Sequence, residues 1–184
     1  MTKQSNKIKY LVIAALLSSI GIILPFLPFK IVIPPASYTL GIHVPIFIAM
    51  FISPATAIGV ALITTVGFLI SGFPLVIVLR ALTHVVWAIL GAYILKKNGN
   101  ILLSLKTAIP FALLISVVHA ICEVAAVMLF FLGGTSTMSF SYIMLFIGLG
   151  TIVHSLVDFS IAVFVWKAVQ HVINMPVNAR IKSK

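Results

Sequence analysis

Apolar residues fill long stretches of this chain, and short clusters of proline, glycine, lysine and asparagine divide them. The first stretch, residues 10–28, follows Lys3, Lys7 and Lys9 and is long enough to cross a hydrocarbon layer of ~30 Å. It resembles a signal peptide in outline, yet it runs on without a clear small-x-small cleavage site and reads as a retained first span. A proline-rich segment, Pro25 to Pro35, follows and carries Lys30. Residues 40–70 are apolar for too long to make one ordinary span, and Ser53-Pro54 interrupts them near the middle. Two short helices joined by a tight turn, 40–53 and 55–71, are expected there. Ser71-Gly72-Phe73-Pro74 then introduces a span over 75–95, which stops at Lys96-Lys97-Asn98-Gly99-Asn100. Two more spans follow at 107–132 and 140–169, with a Gly-Gly-Thr-Ser-Thr loop between them. The pattern predicts a single all-α integral membrane domain over residues 1–184, with six transmembrane helices.

Composition agrees with that reading. Hydrophobic residues make up 62% of the chain and charged residues 8%, whereas soluble domains carry about a quarter charged. The formal charge of +10 is no sign of nucleic-acid binding, because the basic residues punctuate apolar runs as topology signals do. With six spans, Lys3, Lys7, Lys9, Lys96, Lys97, Lys106, Lys167, Arg180, Lys182 and Lys184 fall on one side. The positive-inside rule makes that side, and both termini, cytoplasmic. The single cysteine, Cys122, excludes an intramolecular disulfide framework and a CxxC motif.

The candidate chemistry lies inside the apolar runs. Glu123 and Asp158 are the two acidic residues, and each has a histidine one helical turn before it, His119 and His154. Arg80, His84 and Trp87 form a third stripe at i, i+4 and i+7. Ionisable groups at membrane depth are costly and mark functional sites by default. Counting along the spans places these groups between the midplane and the outer surface, around a cavity open to the outside. Apolar walls with a few polar groups, and Trp87 to stack on a flat ring, suit a small polar aromatic solute. The blander alternative is that Arg80 pairs with Glu123 or Asp158 only to neutralise buried charge. His43, beside Pro45, belongs either to the pocket rim or to the interface, and Tyr38 and Phe73 either cap the cavity or join the interfacial aromatic belt. In the first span Ala14, Ala15, Ser18, Ser19 and Gly21 give a small-residue face, for internal packing or for docking a separate membrane subunit. The chain carries no nucleotide-binding motif, so active transport requires partners.

The strings Pro35-Ala36-Ser37-Tyr38-Thr39-Leu40, His43-Val44-Pro45-Ile46-Phe47-Ile48-Ala49-Met50-Phe51 and Leu79-Arg80-Ala81-Leu82-Thr83-His84, with the size, span count and small-residue first span, carry a family resemblance. The chain resembles the S components, the substrate-binding membrane subunits of energy-coupling factor (ECF) vitamin transporters of bacterial cell membranes. The resemblance implies capture of a vitamin or precursor from outside, toppling in the bilayer, and delivery inward on a transmembrane coupling subunit driven by two cytoplasmic ATPases. ATP and Mg²⁺ then belong to those partners, and no cofactor or metal to this chain. Ala14, Ala15, Ser18 and Ser19 match the docking face. The substrate site maps onto Arg80, His84, Trp87, His119, Glu123, Tyr142, His154 and Asp158, with Tyr38 and His43 from the first loop. The subgroup is similar to S components for pyridine or pyrimidine compounds. Counting Arg80 against both carboxylates favours a neutral or weakly basic ring, hydroxymethylpyrimidine or pyridoxine. Niacin is the alternative, with Arg80 gripping nicotinate if one carboxylate is protonated. A cobalt or nickel carrier is disfavoured because Met1-Thr2-Lys3 lacks an early histidine. An intramembrane hydrolase is disfavoured because GxSxG, Gly-x-Ser-Gly and HExxH patterns are missing.

Overall fold

The computed structural model describes residues 3–34, 36–134, 138–173 and 175–181. Part of the loop after Gly134 and the lysines Lys182 and Lys184 lie outside the described residues. Among the described residues six helices longer than a single turn form a bundle: α1 (Lys3–Ile23), α2 (Val44–Ile52), α3 (Pro54–Ile70), α4 (Leu75–Lys97), α5 (Leu105–Leu132) and α6 (Phe140–Val169). A small antiparallel hairpin, β1 (Lys30–Ile33) and β2 (Ala36–Thr39), lies between α1 and α2, with Lys30 opposite Thr39 and Ile33 opposite Ala36. The molecule is thus a multi-pass helical membrane bundle with one hairpin that the hydrophobic pattern did not announce.

Four helices, α1, α4, α5 and α6, are long and apolar enough to cross a membrane, and α3 is a shorter apolar helix of 17 residues. The expected helix over 40–53 is shorter than predicted. Helix α2 has only 9 residues, about 14 Å at 1.5 Å per residue, and Pro45 to Ile52 are all buried. Residues 40–43 form a turn instead, in which Gly41 adopts φ 82°, a conformation that favours glycine. The expected break after α2 is present for a local reason. Ser53 is extended, its Oγ accepts from Thr56 N at 3.1 Å, and Pro54 starts α3, where its missing N–H costs nothing.

Contacts define two ends of the bundle. At one end Tyr10 Oη donates to Pro176 O (2.6 Å), Asn178 N to Ile52 O (3.0 Å) and Asn178 Nδ2 to Ala92 O (3.1 Å). The start of α1, the α2–α3 junction, the end of α4 and the segment after α6 therefore meet there. At the other end the ring of Phe73, in the α3–α4 turn, packs at 5.5 Å from Phe26 and 4.9 Å from Phe68. The hairpin joins this end through Tyr142 Oη, which donates to Pro34 O at 2.8 Å.

Helix α2 lies at the centre, its Phe47, Met50 and Phe51 buried among Trp87, Phe159 and Trp166. Glycines allow the close approaches around it. A Cβ on Gly91 would overlap Met50 Sδ, and one on Gly67 would overlap the Ile22 side chain where α3 meets α1. The small-residue face of α1 is divided. Ala14 and Ser18 are buried inside the bundle, while Ala15 and Ser19 are exposed on the outer surface.

Candidate functional site

A cavity of ≈ 90 Å³ opens at the hairpin end. At about 10–15 Å³ per water it has room for several waters, or for one six-membered ring with a small substituent. Its polar wall holds Tyr38, Thr39, His43, Arg80, His84, Glu123, Thr151 and His154. The apolar wall includes Pro25, Ile42, Phe68, Phe73 and Ile77, and Lys30 stands at the hairpin side. The helix stripes read from the sequence thus bring Arg80 and His84 of α4 to Glu123 of α5.

Glu123 is the hub of that wall. Arg80 Nε donates to its Oε2, and His84 Nε2 donates to Oε1 at 3.2 Å. His119 Nε2 stands 3.5 Å from the same Oε1, out of line for a hydrogen bond. Fixing a guanidinium against a buried carboxylate costs less than burying either charge alone, so the pair arrives in the bilayer as a unit. Arg80 and Glu123 both line the cavity, so the pair sets the charge of its wall.

Asp158 has a different task. It accepts Gly41 N at Oδ1 (2.8 Å) and both His43 N (3.0 Å) and His43 Nδ1 (2.9 Å) at Oδ2. Three N–H donors satisfy this buried carboxylate, and they belong to the turn that feeds α2. Asp158 therefore fastens the turn from behind and does not line the cavity. The bond also fixes the His43 tautomer: Nδ1 carries the proton, and Nε2 is left as an acceptor. His154 Nε2 is 3.4 Å from Asp158 Oδ2, without hydrogen-bond geometry.

Trp87, expected as a stacking platform, is not among the residues that line this cavity. It is fully buried behind the histidines, 6.1 Å from the His43 ring and 4.9 Å from that of Phe47. His119 is likewise fully buried. Besides the imidazoles of His43, His84 and His154, the rings that line the cavity are Tyr38, Phe68 and Phe73. Tyr142 holds the hairpin backbone rather than the cavity.

Tyr38 joins the hairpin to α6. Its hydroxyl donates to the carbonyl of Phe146, which lies in a π-helical stretch, Ile143–Leu149. Widening the helix there displaces a carbonyl from the regular ladder and offers it to another donor. Gly150 completes the notch, because a Cβ there would meet the Tyr38 ring. Of the lining residues, Thr39, Thr151, Phe68 and Ile77 carried no distinguishing signal in the sequence. Each is an ordinary residue for an apolar span or turn.

Comparison with known proteins supplies a relative. The chain is 39% identical over 160 residues to the niacin transporter NiaX of Lactococcus lactis subsp. cremoris (strain MG1363), covering 85% of this chain and 72% of that protein. No protein-family model matches the chain, and no solved structure does.

Proposed function

The chain belongs to the S components of energy-coupling factor vitamin transporters, multi-pass proteins of the bacterial membrane, and we propose that it captures niacin as the nicotinate anion in the Arg80 cavity. The observation that carries this reading is the Arg80 guanidinium, set by Glu123 in the wall of a cavity that suits one ring. A planar fork of N–H donors suits a planar carboxylate. The apolar wall of Phe68, Phe73 and Ile77 suits the faces of a pyridine ring. The niacin transporter relative supports the same choice.

The charge count that favoured hydroxymethylpyrimidine or pyridoxine assumed that both carboxylates face the solute. Asp158 instead spends its charge on three N–H groups of the 41–43 turn. A solute meets Arg80 balanced by Glu123, with Lys30 at the hairpin side, and an anion is then acceptable. The sequence alternative, niacin, is accordingly preferred to the neutral ring.

In this reading the chain crosses the bilayer six times with cytoplasmic termini, the second crossing being completed by β2 and the 40–43 turn. The exposed pair Ala15 and Ser19, rather than Ala14 and Ser18, meets a transmembrane coupling subunit. ATP and Mg²⁺ are handled by two cytoplasmic ATPase partners. The test is uptake of labelled nicotinate by cells that lack niacin uptake of their own and co-express this chain with a coupling subunit and its ATPases. Nicotinate accumulation that depends on this chain is expected. Accumulation of labelled hydroxymethylpyrimidine or pyridoxine, with none of nicotinate, would overturn the assignment.

A further inference from the structure

Behind the cavity, three histidines from different parts of the chain turn toward one point. His43 precedes α2, His84 lies on α4 and His119 on α5. Their ring centroids are 4.5 Å (His43–His119), 4.9 Å (His43–His84) and 5.0 Å (His84–His119) apart, and the rings are nearly perpendicular. One ring nitrogen from each lies within 4.8 Å of the other two. His119 is fully buried, its Nε2 has only the Glu123 carboxylate 3.5 Å away and out of line, and neither ring nitrogen makes a hydrogen bond of good geometry.

We propose that His43, His84 and His119 hold a divalent transition-metal ion of the Zn²⁺ or Co²⁺ kind, one nitrogen each. Imidazole is a preferred donor for such ions, and three protein ligands with an open fourth position make a known coordination pattern. The surroundings match what a metal-bound histidine needs. The Asp158 carboxylate takes the Nδ1 proton of His43 at 2.9 Å and leaves Nε2 for the ion, the carboxylate–histidine pairing that orients metal ligands. Glu123 Oε1 supports His84 in the same way at 3.2 Å. His43 and His84 line the cavity, which gives an ion its way in from the hairpin end. Metal–nitrogen bonds of about 2.0–2.1 Å place the three nitrogens roughly 3.4 Å apart, so binding draws the rings inward by on the order of 1 Å. The open position faces the cavity, where water or the ring nitrogen of a captured pyridine completes the sphere. That last pairing rests on the niacin reading; the histidine site does not.

The test uses the full chain, purified without a polyhistidine tag, stripped with EDTA and titrated with Co²⁺. Visible d–d absorption and elemental analysis report uptake. One Co²⁺ per chain with tetrahedral absorption is expected. It should be lost in His119→Ala and in His84→Gln and kept in His171→Ala, which alters an exposed histidine beyond α6. Absence of stoichiometric uptake by the wild-type chain would overturn the proposal, as would uptake that survives both His119→Ala and His84→Gln. A parallel nicotinate titration in EDTA separates the two readings. Nicotinate binding without metal uptake removes the metal site alone, and metal uptake without nicotinate binding, with or without the ion, removes the niacin reading alone.

Discussion

Replacing Arg80 by lysine is the sharpest perturbation of the cavity, because it keeps the charge and removes the fork. Glu123 is 3% exposed and accepts from Arg80 Nε, so any neutral residue at position 80 leaves a buried carboxylate without its guanidinium and with the His84 bond alone. Breaking a buried pair in that way costs about 3–5 kcal/mol and confuses binding with folding. Lysine keeps the pairing, and the melting temperature should stay close to that of the parent chain. A lysine ammonium serving Glu123 cannot also present two parallel donors to a ligand carboxylate. The loss is about one charge-assisted hydrogen bond, about 1.5–3 kcal/mol, or roughly tenfold to 150-fold in Kd for nicotinate. Nicotinamide offers a neutral amide in place of the carboxylate, and its Kd should change by a smaller factor than that of nicotinate. Calorimetric titration of both ligands into parent and Arg80→Lys chains gives the ratio directly. Equal losses for the two ligands, or no loss for nicotinate, would refute the placement of the carboxylate on Arg80.

Three further outcomes follow from other contacts. Tyr38→Phe removes the bond to the Phe146 carbonyl and should cost about 1 kcal/mol of ligand affinity, seen as roughly fivefold faster nicotinate release in stopped-flow fluorescence; unchanged release would separate the hairpin from the site. Gly67→Ala drives a Cβ into Ile22 and should lower stability by about 1–3 kcal/mol in thermal or denaturant unfolding, whereas a neutral result would mean that α1 moves away at no cost. Ala15→Phe should leave nicotinate Kd and melting temperature unchanged and abolish energised uptake, while Ala14→Phe should lower the melting temperature; normal uptake by Ala15→Phe would place the docking face elsewhere.

Where local rules decide structure, the sequence was a sufficient guide. The Ser53-Pro54 break needs only a capping hydroxyl and a proline suited to the first helical turn, both visible as residue types. The Arg80–His84 stripe and Glu123 were legible because a buried charge in lipid must find an opposite one, and few candidates existed. Helical spacing assigns residues to a face but not to a depth, which is why Trp87 was expected at the solute and lies behind His43 and His84. Ala14, Ala15, Ser18 and Ser19 read as one small-residue face in the sequence, yet Ala14/Ser18 and Ala15/Ser19 are separate stripes about 100° apart around a helix. The carboxylate–turn contacts of Asp158 join residues more than a hundred positions apart, and no local pattern encodes them. The π-helical stretch in α6 left no trace either, since Ile143–Leu149 reads as ordinary apolar helix and only the Tyr38 hydroxyl shows its use.

Calorimetry on the purified chain in lipid nanodiscs, with nicotinate, nicotinamide, hydroxymethylpyrimidine and pyridoxine titrated in turn, tests the central claim most directly. Nicotinate should bind most tightly, with one site per chain, and should displace any weaker ligand. Tight binding of hydroxymethylpyrimidine or pyridoxine, with nicotinate neither binding nor competing, would contradict the account.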